Sequence, residues 1–301
     1  MEALLNLQGT IFLLMGVGLI VRKTGIITEE GQKCLTNLVI NVILPCNIIQ
    51  SFCVDFTKEM GRDIVAAFAV SVLIQALSVI YGKWMFLKES DGRKKCLCYG
   101  MICSNAGFLG NPVAEGMFGA YGLMLASVFL IPLRTMMWTE GIAIFTGTKN
   151  WKETVRRTIT HPCIVACFIG IILLVTGFRF PVMISKTITT LGACNTAASM
   201  MVIGMILSGI KLESFMDKMV WRYCFHRLAL FPAIIFLILK ILPVSANVRG
   251  ISVLLTAMPA GATTSILSMK YEVEPEFGAK LVICSTLVSI LTLTIWSGIL
   301  I

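Results

Sequence analysis

The stretch Cys103-Ser-Asn-Ala-Gly-Phe-Leu-Gly-Asn-Pro-Val-Ala-Glu-Gly-Met-Phe-Gly119 decides how this chain folds. It lies inside an apolar segment long enough to cross a bilayer, yet it holds four glycines, two asparagines, a proline and a glutamate. In hydrocarbon each freed backbone N–H or C=O costs several kcal/mol, so such a break survives only inside protein or beside a water-filled cavity. Pro112 removes a donor and clashes with the preceding turn, and the glycines weaken the helix further. A helix broken at membrane depth is the usual construction of a transporter's binding site.

The composition agrees. Of 301 residues 57% are hydrophobic and only 14% are charged, and the mean hydropathy is +0.88. A water-facing surface alone needs about a quarter charged residues, so an ordinary soluble domain is excluded. Apolar runs recur from end to end and predict an all-α polytopic membrane protein. Ten spans are expected, at about 3–21, 34–54, 64–87, 96–118, 123–145, 162–177, 183–210, 219–242, 248–269 and 277–300. The first run is preceded by no basic region and followed by Arg22-Lys23, so it reads as a span and not as a cleavable signal.

The net charge of +9 follows topology. Seventeen of the 25 Lys and Arg fall in the loops after odd-numbered spans, and six fall on the other face. That asymmetry puts the odd-to-even loops in the cytoplasm and both termini outside. The stretch 147–161 between spans 5 and 6 carries Lys149, Lys152, Arg156 and Arg157 around Trp151. It reads either as a short amphipathic helix on the membrane surface or as a solvated basic loop.

Five spans per half would make two halves antiparallel, and the sequence carries traces of such a repeat. Thr24-Gly25 and Thr176-Gly177 end spans 1 and 6, and Cys46-Asn47 in span 2 corresponds to Cys194-Asn195 in span 7. The break at Gly110-Asn111-Pro112 corresponds to that at Pro259-Ala260-Gly261, and Tyr121 to Tyr271. The offset stays near about 150 residues, which predicts a 5+5 inverted repeat of 1–146 and 162–301 joined by 147–161. The broken helices 4 and 9 are then expected to cross near the membrane centre, where substrate binds.

Enzymatic chemistry finds no support. Two histidines, His161 and His226, stand near no nucleophile motif, and no Walker loop is present. The eleven cysteines contain no Cys-x-x-Cys pair, and most lie in apolar runs where Cys acts as a small apolar residue. No metal site and no cofactor is expected. Candidate substrate-binding residues are Asn105, Asn111 and Pro112 in span 4, with Pro259, Thr263 and Thr264 in span 9. Half-helix N-termini suit an anionic group, and Asn and Thr add neutral hydrogen bonds. Pro45, Asn47 and Asn195 either line the same site or form a kink with an interhelical hydrogen bond. Arg134, inside span 5, either binds a substrate carboxylate or pairs with Glu115 or Glu140. Glu115 and Glu140 are also candidates for a coupling proton, while His226 beside Arg227 reads as an interfacial residue.

Together Asn41-Val-Ile-Leu-Pro-Cys-Asn47, Ser104-Asn-Ala-Gly-Phe-Leu-Gly-Asn-Pro112 with Gly119, and Met258-Pro259-Ala260 followed by Lys270-Tyr271 resemble the auxin efflux carrier (PIN-like) family, in particular its bacterial branch of malate and malonate permeases. The resemblance implies a ten-span elevator-type carrier of small organic anions, with crossed, proline-broken fourth and ninth helices, a scaffold and a transport bundle, and frequent dimers. The short 147–161 connector departs from the long cytosolic loop of plant auxin carriers. The expected function is a secondary active transporter of a mono- or dicarboxylate across the plasma or inner membrane by alternating access, uniport or coupled to H+ or Na+. A sodium-coupled symporter of the related bile-acid fold is the nearest alternative and a channel a more distant one.

Overall fold

The computed structural model of the protein describes residues 2–147, 151–209 and 217–300. Lys149, and Ile210 and Lys211 at the end of the seventh expected span, lie outside the described residues. Among those described, the regular structure is helical, and apart from one isolated β-bridge no strand forms. Helices α1 (Glu2–Lys23), α2 (Glu29–Leu38), α3 (Leu44–Ser51), α4 (Lys58–Met85) and α5 (Asp91–Ile102) lead into α6 (Asn111–Trp138) and α7 (Glu140–Thr146). The surface helix α8 (Trp151–Ile159) connects to α9 (Pro162–Thr176), α10 (Val182–Ala193) and α11 (Asn195–Leu207). After the next described residue, Asp217, come α12 (Lys218–Phe225), α13 (Phe231–Ile241), α14 (Ala246–Thr256), α15 (Thr263–Lys270) and α16 (Pro275–Leu300).

Among the described residues, six continuous helical stretches are long and apolar enough to cross a membrane. Their polarity is arranged for lipid. Leu13, Val65, Ile172, Met183, Ile241 and Leu291 face outward, while Asn47, Asn111, Arg134, Asn195 and Arg227 are buried. Outward apolar surface of this extent with polar groups inside is what a bilayer demands and water does not tolerate. This is a multi-pass membrane protein.

Prolines set the local geometry. Wide π-helical turns occupy Val39–Ile43, Ala106–Gly110 and His226–Leu230, and each is followed two residues later by a proline: Pro45, Pro112 and Pro232. The missing N–H and the ring clash with the carbonyl four residues back force the preceding turn open. Helix α6 spans 28 residues but is not one rod: Gly119 has φ 65 and ψ −161, a backbone that side chains avoid. The chain bends again at Thr139 before α7, where Phe145 packs between Tyr99 and Tyr271.

Packing divides the helices into two groups. In the first, α1 lies along α11, and α3 packs against α9 and α10. The α1–α11 crossing is backbone to backbone: a Cβ added at Gly204 would collide with the Met15 carbonyl oxygen. In the second, α4, α5 and α6 pack together with α14, and α16 packs on α12 and α15. The groups meet where α3, α9 and α11 touch α6 and the Ala106–Gly110 turn, and where α1 touches α16.

Candidate functional site

The two breaks are joined to each other. After α5 the chain leaves the helix through Cys103, Ser104 and Asn105, and after α14 through Pro259, Ala260 and Gly261; Ser104 and Ala260 pair in an antiparallel bridge. The Asn105 N–H donates to the Pro259 carbonyl and the Gly261 N–H to the Cys103 carbonyl, both at 2.8 Å. The Ala260 N–H donates to Ser285 Oγ of α16 at 3.1 Å. Backbone groups that breaking the helices would orphan thus satisfy one another, which is why both breaks persist in an apolar core.

Arg227 completes the junction. Its side chain, 2% exposed, donates from Nε to the Met258 carbonyl at 3.0 Å and from Nη1 to the Met101 carbonyl at 2.9 Å. Met101 belongs to the last turn of α5, and Met258 follows α14. One guanidinium therefore meets the negative ends of two half-helices and two of their unpaired carbonyls. His226, expected at the interface, and Arg227, counted within span 8, are both buried. The π-turn ahead of Pro232 carries both inward, and His226 Nδ1 bonds the Tyr81 hydroxyl at 2.7 Å. The readable signal was Pro232 five residues after Arg227: a cation on a kinked turn points at other broken backbone.

On the opposite side stand the half-helix N-termini. Asn105 is buried, and its carbonyl accepts from both Leu109 and Gly110 as the π-turn begins. Pro112 is buried in the first turn of α6, and Asn111 is 0% exposed with neither amide atom of its side chain hydrogen-bonded. Thr263 and Thr264 open α15; the Thr264 hydroxyl is buried without a partner. Arg134 arrives from further along α6. It is 8% exposed, forms no ion pair with any described residue, and lies over the π-turn, its Nη2 3.5 Å from where a Gly107 Cβ would be. An unpaired guanidinium and a helix N-terminus converge there, and both favour an anion.

The remaining candidates separate. Glu115 pairs with Asn47, whose Nδ2 donates to its Oε2 at 2.9 Å, and so does not neutralise Arg134. Asn111 and Glu115 are four residues apart and share a face of α6. Gly192 of α10 packs on the Asn47 main chain, and the turn at 106–110 touches α11. There Asn195 Oδ1 accepts from Ser199 at 3.1 Å and its Nδ2 is buried without a partner. Pro45 is half-buried in the first turn of α3. Glu140 opens α7 beyond the bend at Thr139, apart from the Asn47–Glu115 contact. No group of three or more His, Cys, Asp or Glu side chains among the described residues is arranged to hold a metal ion.

A family model described as membrane transport protein matches residues 9–297. An uncharacterized transporter of Methanocaldococcus jannaschii is 26% identical, the match covering 96% of each chain. One of Methanothermobacter thermautotrophicus is 27% identical over 97% of this chain and 96% of its own.

Proposed function

As this chain belongs to the membrane transport protein family and is a transporter rather than an enzyme, we propose that it moves a small organic anion, a mono- or dicarboxylate, across the cell membrane by alternating access. The observation that carries this reading is Arg134, buried against the Gly107 turn and without an ion pair among the described residues. A cation at membrane depth costs about 2.5–3.5 kcal/mol or more, and a substrate carboxylate offsets that cost. Asn105, Asn111, Pro112, Pro259, Thr263 and Thr264 form the crossing beside it, and Pro45, Asn47 and Asn195 face it from the other group of helices.

Alternating access follows from one group sliding against the other, with the crossing carried on the second. The 5+5 arrangement of 1–146 and 162–301 around the 147–161 connector is supported by left-handed glycines closing α1 and α9 at Gly25 and Gly177. In it both termini lie outside the cell, and the plasma or inner membrane is the site. A homodimer would form through the outward faces of the first group. Sodium at the crossing would need the half-helix C-terminal carbonyls. Arg227 already engages Met101 and Met258 there, which favours uniport or proton coupling over the sodium symporter. The test is a thermal-shift screen of small carboxylates on purified protein, followed by uptake of the hits into proteoliposomes with and without sodium. Saturable uptake lost in Arg134→Gln supports the reading; absence of any carboxylate shift or uptake removes it.

A further inference from the structure

One side-chain hydrogen bond ties the two groups of helices together, and its acceptor is a carboxylate. Asn47 of α3 donates from Nδ2 to Glu115 Oε2 of α6 at 2.9 Å. The donor is held firmly: Asn47 is buried, and Gly192 of α10 lies on its main chain. The carboxylate's surroundings are neutral. From α1, Leu7 lies against Gly116; from α14, Gly250 receives Phe118; α3 presents the Asn47 amide, and α11, which touches α6, carries the neutral Asn195 and Ser199. Among the described residues no cation faces Glu115 from these elements, and it forms no ion pair. The nearest buried guanidinium on its own helix, Arg134, lies over Gly107 instead.

A carboxylate accepts about four hydrogen bonds when ionised, and this one receives a single neutral donor among the described residues. Motion of α6 past α3 strips that donor and carries a bare charge along an apolar interface. A protonated, neutral carboxyl passes without that penalty. We propose that Glu115 is the proton-binding residue of the transport cycle. Ionised, it is held by Asn47 and locks the two groups in the present register; one proton, taken from water on the open side to form the Glu115 O–H, releases the lock, and that proton leaves to water on the opposite side. The proposal rests on the alternating-access reading above.

The test uses the full chain in proteoliposomes, with radiolabelled malonate as probe and Glu115→Gln as a permanently neutral isostere. An inward acid gradient is expected to accelerate wild-type uptake, and the variant is expected to keep uptake while losing all of that acceleration. Hydrogen exchange in peptides covering Leu44–Ser51 and 111–118, compared after correction for intrinsic rates, should rise on acidification in wild type and stay high at both pH values in the variant. Asn47→Ala, which removes the lock from the other side, should also raise exchange at neutral pH. Acceleration that survives in Glu115→Gln, or exchange in wild type indifferent to acid, overturns the assignment. If malonate is not moved at all, its use as substrate fails, and the exchange titration still decides Glu115.

Discussion

The Asn105 N–H and the Pro259 carbonyl, 154 residues apart in sequence, meet at 2.8 Å and make the two helix breaks a single structure. Pro259→Ala restores a donor where the break needs none and relaxes the chain toward continuous helix. The variant should insert into membranes normally and lose most transport, measured as carboxylate uptake per unit of folded protein. Uptake at the wild-type rate would sink the crossing as binding site.

Asn111→Ala separates binding from folding. Its amide is fully buried yet makes no hydrogen bond, so its removal takes no hydrogen bond from the fold. Thermal stability in detergent should change by less than about 1 kcal/mol, while uptake falls at least tenfold. A large loss of stability instead would return Asn111 to a structural role.

For Arg134 the two readouts should move in opposite directions. Arg134→Gln deletes an unpaired buried cation, so stability without ligand should hold or rise. The stabilising shift produced by carboxylates should shrink or vanish. Unchanged carboxylate affinity would place the anion elsewhere.

Arg227 predicts the reverse pattern. Its truncation to Met leaves the Met101 and Met258 carbonyls without their donor, at about 1–3 kcal/mol each. Arg227→Met should therefore lower the unfolding midpoint strongly. Arg227→Lys should recover part of it, because an ammonium carries the charge but cannot reproduce the planar fork.

At the mouth of α9, burial together with the nearby Arg134 charge pushes the His161 imidazole down to about 3. The neutral ring accepts from the Cys163 N–H. Below about 6.5 the unfolded chain binds a proton that the folded chain refuses. Stability should thus fall as pH drops from about 6.5 toward 3, and His161→Asn should flatten that part of a melting-temperature profile.

What the sequence determined by itself was the solvent and the weak points. Runs of apolar residues fix a membrane protein because hydrocarbon leaves no other place for them. Breaks at 103–119 and 258–265 are readable because proline and glycine act on the backbone locally, wherever the chain goes. The same rule, applied to Pro45 and Pro232, would have announced the two further π-turns. Only the tertiary structure decided partners. Arg227 reads only as a cation within span 8 until α5 and α14 bring two carbonyls to it. Glu115 reads as a partner for Arg134 until α3 supplies Asn47 instead. Side chains one helical turn apart are set by the chain, but a hydrogen bond across 68 or 126 residues depends on how whole helices pack. That packing is fixed by close contacts such as Gly204 on Met15, which no local pattern records.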